Sequence, residues 1–144
     1  MTKVNNTSLI YRENILDHYK NPRNKGHLAE ADIKHKEVNT LCADEVEMQV
    51  RLSVNNNKKS RTDRVNDRIQ TDKELIVNDT KFEGQGCAIS LASASMLTEF
   101  IKGKTLREIK NLKTDDVLTL LNIQISPARL SCALLPLEAL RKGI

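Results

Sequence analysis

The sequence predicts an α+β protein, a small antiparallel three-stranded sheet packed on one face by helices. Two patterns carry that expectation. Beyond Glu45, the apolar residues Val46, Met48, Val50, Leu52 and Val54 alternate with Glu47, Gln49, Arg51 and Ser53, as in a strand with one buried face. Between Ala88 and Lys102, Ile89, Ala92, Ser93, Met96, Leu97, Phe100 and Ile101 recur at i, i+3 and i+4. That spacing makes one stripe of a helix, which Gly103 closes. Strand patterns precede helix patterns along the chain, an order that belongs to the α+β class.

From the N-terminus, Ser8 to Tyr19 reads as a short amphipathic helix. Ser8 is its expected N-cap, and Ile10 or Tyr11, Ile15, Leu16 and Tyr19 stand at helical spacing. Asn21-Pro22-Arg23-Asn24-Lys25-Gly26 stops it, because Pro and Gly break regular structure. His18, His27 and His35 are read as solvated side chains outside any site. Lys36 to Leu41 predicts a first strand leading to Cys42, Glu45 to Val54 a second and Leu75 to Phe82 a third. Segment 55–74 is polar and rich in Asn, Lys, Arg and Asp, and it reads as a long hairpin insertion. Thr105-Leu106-Arg107-Glu108 has the form of a capping box opening a short helix. Thr114 caps the next, and Ser126-Pro127 joins an N-cap to a Pro at the first helical position of the last. Pro136 either kinks that last helix or moves its true first turn nearer Cys132.

A chain of 144 residues suffices for one compact domain, 1–144, and is too short for two ordinary ones. Aromatics are 3% with no Trp, so the core falls to Leu, Ile, Val, Ala and Met. The net charge of +4 permits an acidic partner. With 23 basic residues set against 19 acidic ones and few rings to stack bases, no nucleic-acid partner is expected. The first ten residues carry one Lys and no apolar run, and no stretch approaches a transmembrane length, so neither a leader nor a membrane partner is expected. Three widely separated cysteines, an odd number, argue against a disulfide framework and for a reducing, cytoplasmic location.

The chain is organised around Glu83-Gly84-Gln85-Gly86-Cys87-Ala88-Ile89-Ser90, between the third strand and the long helix. Its two glycines are expected to turn the backbone sharply and to deliver Cys87 to the helix start. The unpaired N–H groups and positive dipole end there favour a thiolate, the form that attacks sulfur or binds metal. A buried structural cysteine is the other reading of the same residue. Cys42 and Cys132 also fall at element ends, and Asp44 follows Cys42 by two residues. Three thiolates and one carboxylate suit tetrahedral Zn²⁺ or iron in an iron–sulfur cluster. No CxxC pair is present, and the spacing by itself does not choose between those metals.

Four segments carry a family likeness. They are Tyr11 to Asn24 with its Asn21-Pro22-Arg23-Asn24 turn, Asn39-Thr40-Leu41-Cys42-Ala43-Asp44, Lys81 to Ser90 followed by Ala92-Ser93-Ala94-Ser95, and Ser126 to Leu135 around Cys132. In this order they resemble the U-type iron–sulfur scaffold proteins: IscU, the N-terminal domain of NifU, and SufU. The resemblance implies a SufE/NifU-like fold and a scaffold on which a transient [2Fe–2S] cluster is assembled and handed to apo iron–sulfur proteins. It implies a cysteine desulfurase as sulfur donor, Cys42, Cys87 and Cys132 as sulfur acceptors or ligands, and Asp44 as the fourth ligand to cluster, Fe or Zn²⁺. It makes the chain a carrier rather than a turnover enzyme, a monomer or small homo-oligomer.

Departures from the family pattern are specific. Ala43 stands where the family has Gly, and Ser131 stands where IscU proteins carry His and SufU proteins a basic residue. Ile125-Ser126-Pro127-Ala128-Arg129 partly resembles the segment by which IscU engages an Hsp70-type chaperone. The helical insert of SufU before the third cysteine is missing, and segment 55–74 lengthens a hairpin that is tight in most members. Two other readings remain: a Zn-dependent sulfur acceptor and sulfurtransferase of the SufU kind, and a structural zinc protein serving as an interaction module.

Overall fold

The computed structural model describes residues 6–40, 43–54 and 75–144. Cys42 and segment 55–74 lie outside the described residues. The elements are α1 (Asn6–Lys20), β1 (Ile33–Asn39), β2 (Asp44–Val54), β3 (Leu75–Gln85), α2 (Ala88–Ile101), α3 (Leu106–Lys110), α4 (Thr114–Leu121) and α5 (Pro127–Gly143). The strands pair antiparallel in the order β1-β2-β3. Helices cover the face that Val46, Met48 and Val50 present, as the alternation predicts. These three pack with Phe82 of β3 against Leu97 and Ile101 of α2, Val117 and Leu121 of α4, and Leu137 and Leu140 of α5. Helix α5 lies on β1 and β2, α2 on β3 and α5, and α1 on α2.

Residues directly opposite in an antiparallel pair share a face. Met48 faces His35 and Phe82, Val46 faces Glu37 and Gly84, and Asn39 faces Asp44. The buried row of β2 therefore ends in Asp44 and its partner Asn39. Both are polar, both are on the helix-covered face, and both sit at the sheet end nearest the start of α2.

Several expectations change. Helix α1 begins at Asn6, so Ser8 lies inside it; the side chains of Ser8, Ile10 and Tyr11 are outside the described set. β1 begins at Ile33, a buried partner of Val50, and ends at Asn39 rather than Leu41. β3 continues to Gln85, which places Gly84 in the sheet instead of a turn. A Cβ at Gly84 would lie 2.2 Å from the Glu45 carbonyl oxygen, so the glycine serves close strand approach. The alternation of β2 fails beyond Arg51, where a register shift leaves Val54 exposed.

Gln49, expected on the open face, is fully buried. The chain from Asn24 to Gly26 bonds to Phe82 along the outer edge of β3, and the Leu28 N–H then donates to Gln49 Oε1 at 2.7 Å. His18, expected in solvent, is buried between α1 and α2. The capping box at Thr105 and Glu108 forms as expected. Lys113, not Thr114, holds the cap position of α4, and its N–H donates to Asp116 Oδ2 at 2.7 Å. Helix α5 starts at Pro127 and runs through Pro136, which lies in its interior and has no N–H for the helical ladder.

Candidate metal centre

Asp44 opens β2 with its side chain on the covered face, 1% exposed. Its Oδ1 accepts the Cys87 N–H at 3.0 Å. Its Oδ2 is buried with no hydrogen-bond partner among the described residues. A buried carboxylate oxygen without a donor is costly unless a cation satisfies it. Gly86 makes room for this carboxylate: a Cβ there would come 2.6 Å from Asp44 Oδ1 and 2.8 Å from Ser90 Oγ. Neither Gly84 nor Gly86 is among the positive-φ residues, so the pair acts by omitting side chains rather than by turning the backbone.

Cys87 is the N-cap residue of α2, half-buried, with extended backbone. Ser90 closes the first turn beneath it. The Ser90 hydroxyl donates to the Cys87 carbonyl at 3.1 Å, and the Cys87 Sγ stands 3.8 Å from Ser90 Oγ. Cys132 lies in the second turn of α5, 1% exposed. From β1, Asn39 Nδ2 donates to Ser131 Oγ at 3.0 Å and to Cys132 Sγ at 3.7 Å. Ala43 precedes Asp44 in the left-handed region, with φ of 55°.

Among the described residues, Asp44, Cys87 and Cys132 thus bring one oxygen and two sulfurs within 4.8 Å of one another. A tetrahedral ion with metal–sulfur bonds of about 2.3 Å and metal–oxygen bonds of about 2.1 Å sets such donors roughly 3.6–3.8 Å apart. The set fits a thiophilic metal with small side-chain adjustments. Neither Cys87 nor Cys132 is in a disulfide among the described residues.

The three histidines stay apart from this cluster. His27 is exposed, and His35 on β1 has its Nε2 3.9 Å from Glu37. His18 Nδ1 is 2.7 Å from the Ser95 hydroxyl, and its Nε2 is 3.7 Å from Glu99. Burial, followed by the nearby Arg23 charge, holds the His18 pKa below its ordinary value.

The sequence reading missed Asn39 and Ser90 as parts of this end of the molecule. The signal for Asn39 was its place in the Asn39-x-x-Cys42 motif. That for Ser90 was its position three residues after Cys87, one helical turn on.

Comparison with known proteins agrees with the fold. The family described as the NifU-like N-terminal domain matches residues 10–144. The zinc-dependent sulfurtransferase SufU of Bacillus subtilis (strain 168) is 35% identical, over 96% of this chain and 92% of that protein. The iron–sulfur cluster assembly scaffold protein IscU of Rickettsia prowazekii is 32% identical, over 94% of this chain and 90% of that protein. A solved structure of a candidate iron–sulfur cluster assembly scaffold protein for the SUF system, from Fervidobacterium islandicum AW-1, superposes with a TM-score of 0.67. It is 25% identical and covers 95% of this chain and 98% of that one.

Proposed function

The chain belongs to the NifU-like N-terminal domain family, and from that membership we propose that it is a scaffold for iron–sulfur cluster assembly. In this reading it accepts sulfur from a cysteine desulfurase, gathers iron, and passes the cluster to apo-proteins. The observation that carries it is the convergence of Asp44, Cys87 and Cys132 around a buried carboxylate oxygen that lacks a donor.

The sulfur step needs a thiolate with access to a donor. Of the two described cysteines, Cys87 is half-buried and Cys132 is closed off, so Cys87 is the more accessible acceptor of that pair. Its thiolate attacks the outer sulfur of the desulfurase persulfide. The S–S bond of the donor breaks, the donor leaves as thiolate, and a persulfide remains on Cys87 with no net oxidation. Asp44, Cys87, Cys132 and Cys42 together hold the cargo, a [2Fe–2S] cluster. Three cysteines and one carboxylate make a less tenacious set than the usual four cysteines, which suits a cluster that must leave. Residues 126–129 are exposed at the start of α5, a place where an Hsp70-type chaperone can bind. Cysteines outside any described disulfide suit the reducing cytoplasm, segment 55–74 is read as an insertion within one domain, and no described helix is long and apolar enough to cross a membrane.

A second reading has its own support. The same donors suit Zn²⁺, and a relative at 35% identity is a zinc-dependent sulfurtransferase. The two are separated by incubating the protein with a cysteine desulfurase and cysteine, with and without iron. Iron-dependent cluster formation and transfer to an apo-ferredoxin is the expected outcome. Catalytic stimulation of desulfurase turnover by the zinc form without iron would give the sulfurtransferase reading precedence.

A further inference from the structure

We propose that Asn39 is a positioning residue for Cys132, its side-chain amide supplying the hydrogen bond that orients the sulfur and limits its donation to the metal. The inference rests on the reading of Cys132 as a ligand. Asn39 is the last residue of β1, and its side chain is on the covered face opposite Asp44. The Nδ2 group has two hydrogens and two acceptors, Ser131 Oγ at 3.0 Å and Cys132 Sγ at 3.7 Å.

The chemistry fixes which end of the amide faces the sulfur. A metal-bound cysteine is a thiolate and has no proton to give, so only the NH₂ end can pair with it. Ser131, exposed on α5, takes the other hydrogen and prevents the amide from rotating. Asn39 also lies three residues before Cys42 in sequence. It therefore ties the strand end that leads to Cys42 to the helix that carries Cys132. An N–H directed at a ligating sulfur lowers the electron density available to the metal. Partners of this kind tune both affinity and the electronics of the site.

The test uses Co²⁺ as a spectroscopic probe in the full chain, comparing the parent with Asn39→Ala, Asn39→Asp and Ser131→Ala. A thiolate-to-Co²⁺ charge-transfer band is expected in the parent. It should move to lower energy in Asn39→Ala and Asn39→Asp, with a smaller shift in Ser131→Ala, where the amide loses only its anchor. Zn²⁺ affinity, read by chelator competition, should fall about tenfold or more in Asn39→Ala, because the lost orientation of the sulfur outweighs its greater donation. Melting of the metal-free proteins separates positioning from folding: a merely structural Asn39 would lower the melting temperature and leave the band in place. An unmoved band in folded Asn39 variants overturns the proposal. If neither Asn39 variant folds, the band of Ser131→Ala decides in the same way. A parent without any thiolate band would overturn the ligand reading itself.

Discussion

Ala43 holds a left-handed backbone, φ of 55°, immediately before the carboxylate of the site. A Cβ in that region costs on the order of 1 kcal/mol, which glycine avoids. Ala43→Gly is expected to raise the urea midpoint by a matching amount at unchanged slope. An unchanged or lower midpoint would show that the turn is not strained. Asp44 has a sharper role. As the carboxylate in an otherwise thiolate set, it is expected to keep the cluster exchangeable, so Asp44→Ala should release its cluster to an apo-ferredoxin more slowly than the parent. Faster release would refute that role. The motif around Cys42 singles out Asp44 as an expected ligand. Its burial follows from parity, since it is two residues before Val46 on the same face of β2. Asn39 was not legible as a contact of Cys132, because the two are 93 residues apart and only the docking of α5 on β1 joins them.

Among the elements, the α1–α2 contact carries a pH dependence. His18 is buried against Ser95, with Arg23, Asp17 and Glu99 as its charged neighbours. Burial lowers its pKa below the ordinary 6.5. Between the folded value and 6.5, the unfolded chain binds a proton that the folded chain does not. Stability from this group is therefore complete above about pH 6.5 and declines as pH falls through that value towards the lowered one. Urea melts across that window should show the decline, and His18→Gln should flatten it. An equal decline in the variant would assign it to other groups. Helix and strand periodicities were legible here, but what covered each element was not. Gln49 and His18 look solvent-facing in a pattern of alternation or turn chemistry. They are buried because the 24–28 segment and α2 reach them from elsewhere in the chain. The extension of β3 through Gly84 was hidden for a related reason, since glycine signals a turn and a close strand approach with the same letter.

For the molecule as a whole, the core and the cargo site are separable. Phe82, Met48, Leu97 and Leu137 are fully buried in a continuous apolar cluster, while Asp44, Cys87 and Cys132 gather at one end of the sheet. Phe82→Ala is expected to cost about 3–5 kcal/mol in chemical denaturation. Cys87→Ser and Cys132→Ser should remain folded without metal. If those serine variants were instead unfolded while Phe82→Ala was tolerated, the metal would be the source of the fold, as in a structural zinc protein. The α+β class and the three-stranded antiparallel sheet covered by helices were within reach of the sequence. The fit of the buried Asp44 carboxylate beside Ser90 was not, because it depends on Gly86 leaving space that only the packed chain defines.

Anaerobic reconstitution with iron, cysteine and a cysteine desulfurase, read by visible absorption and Mössbauer spectra, is the experiment to make first. The expected result is a [2Fe–2S] signature on the parent, absent from Cys42→Ser, Cys87→Ser and Cys132→Ser, and transferable to an apo-ferredoxin. A parent that retains only zinc and assembles no cluster, or serine variants that hold one as well as the parent, would contradict the scaffold.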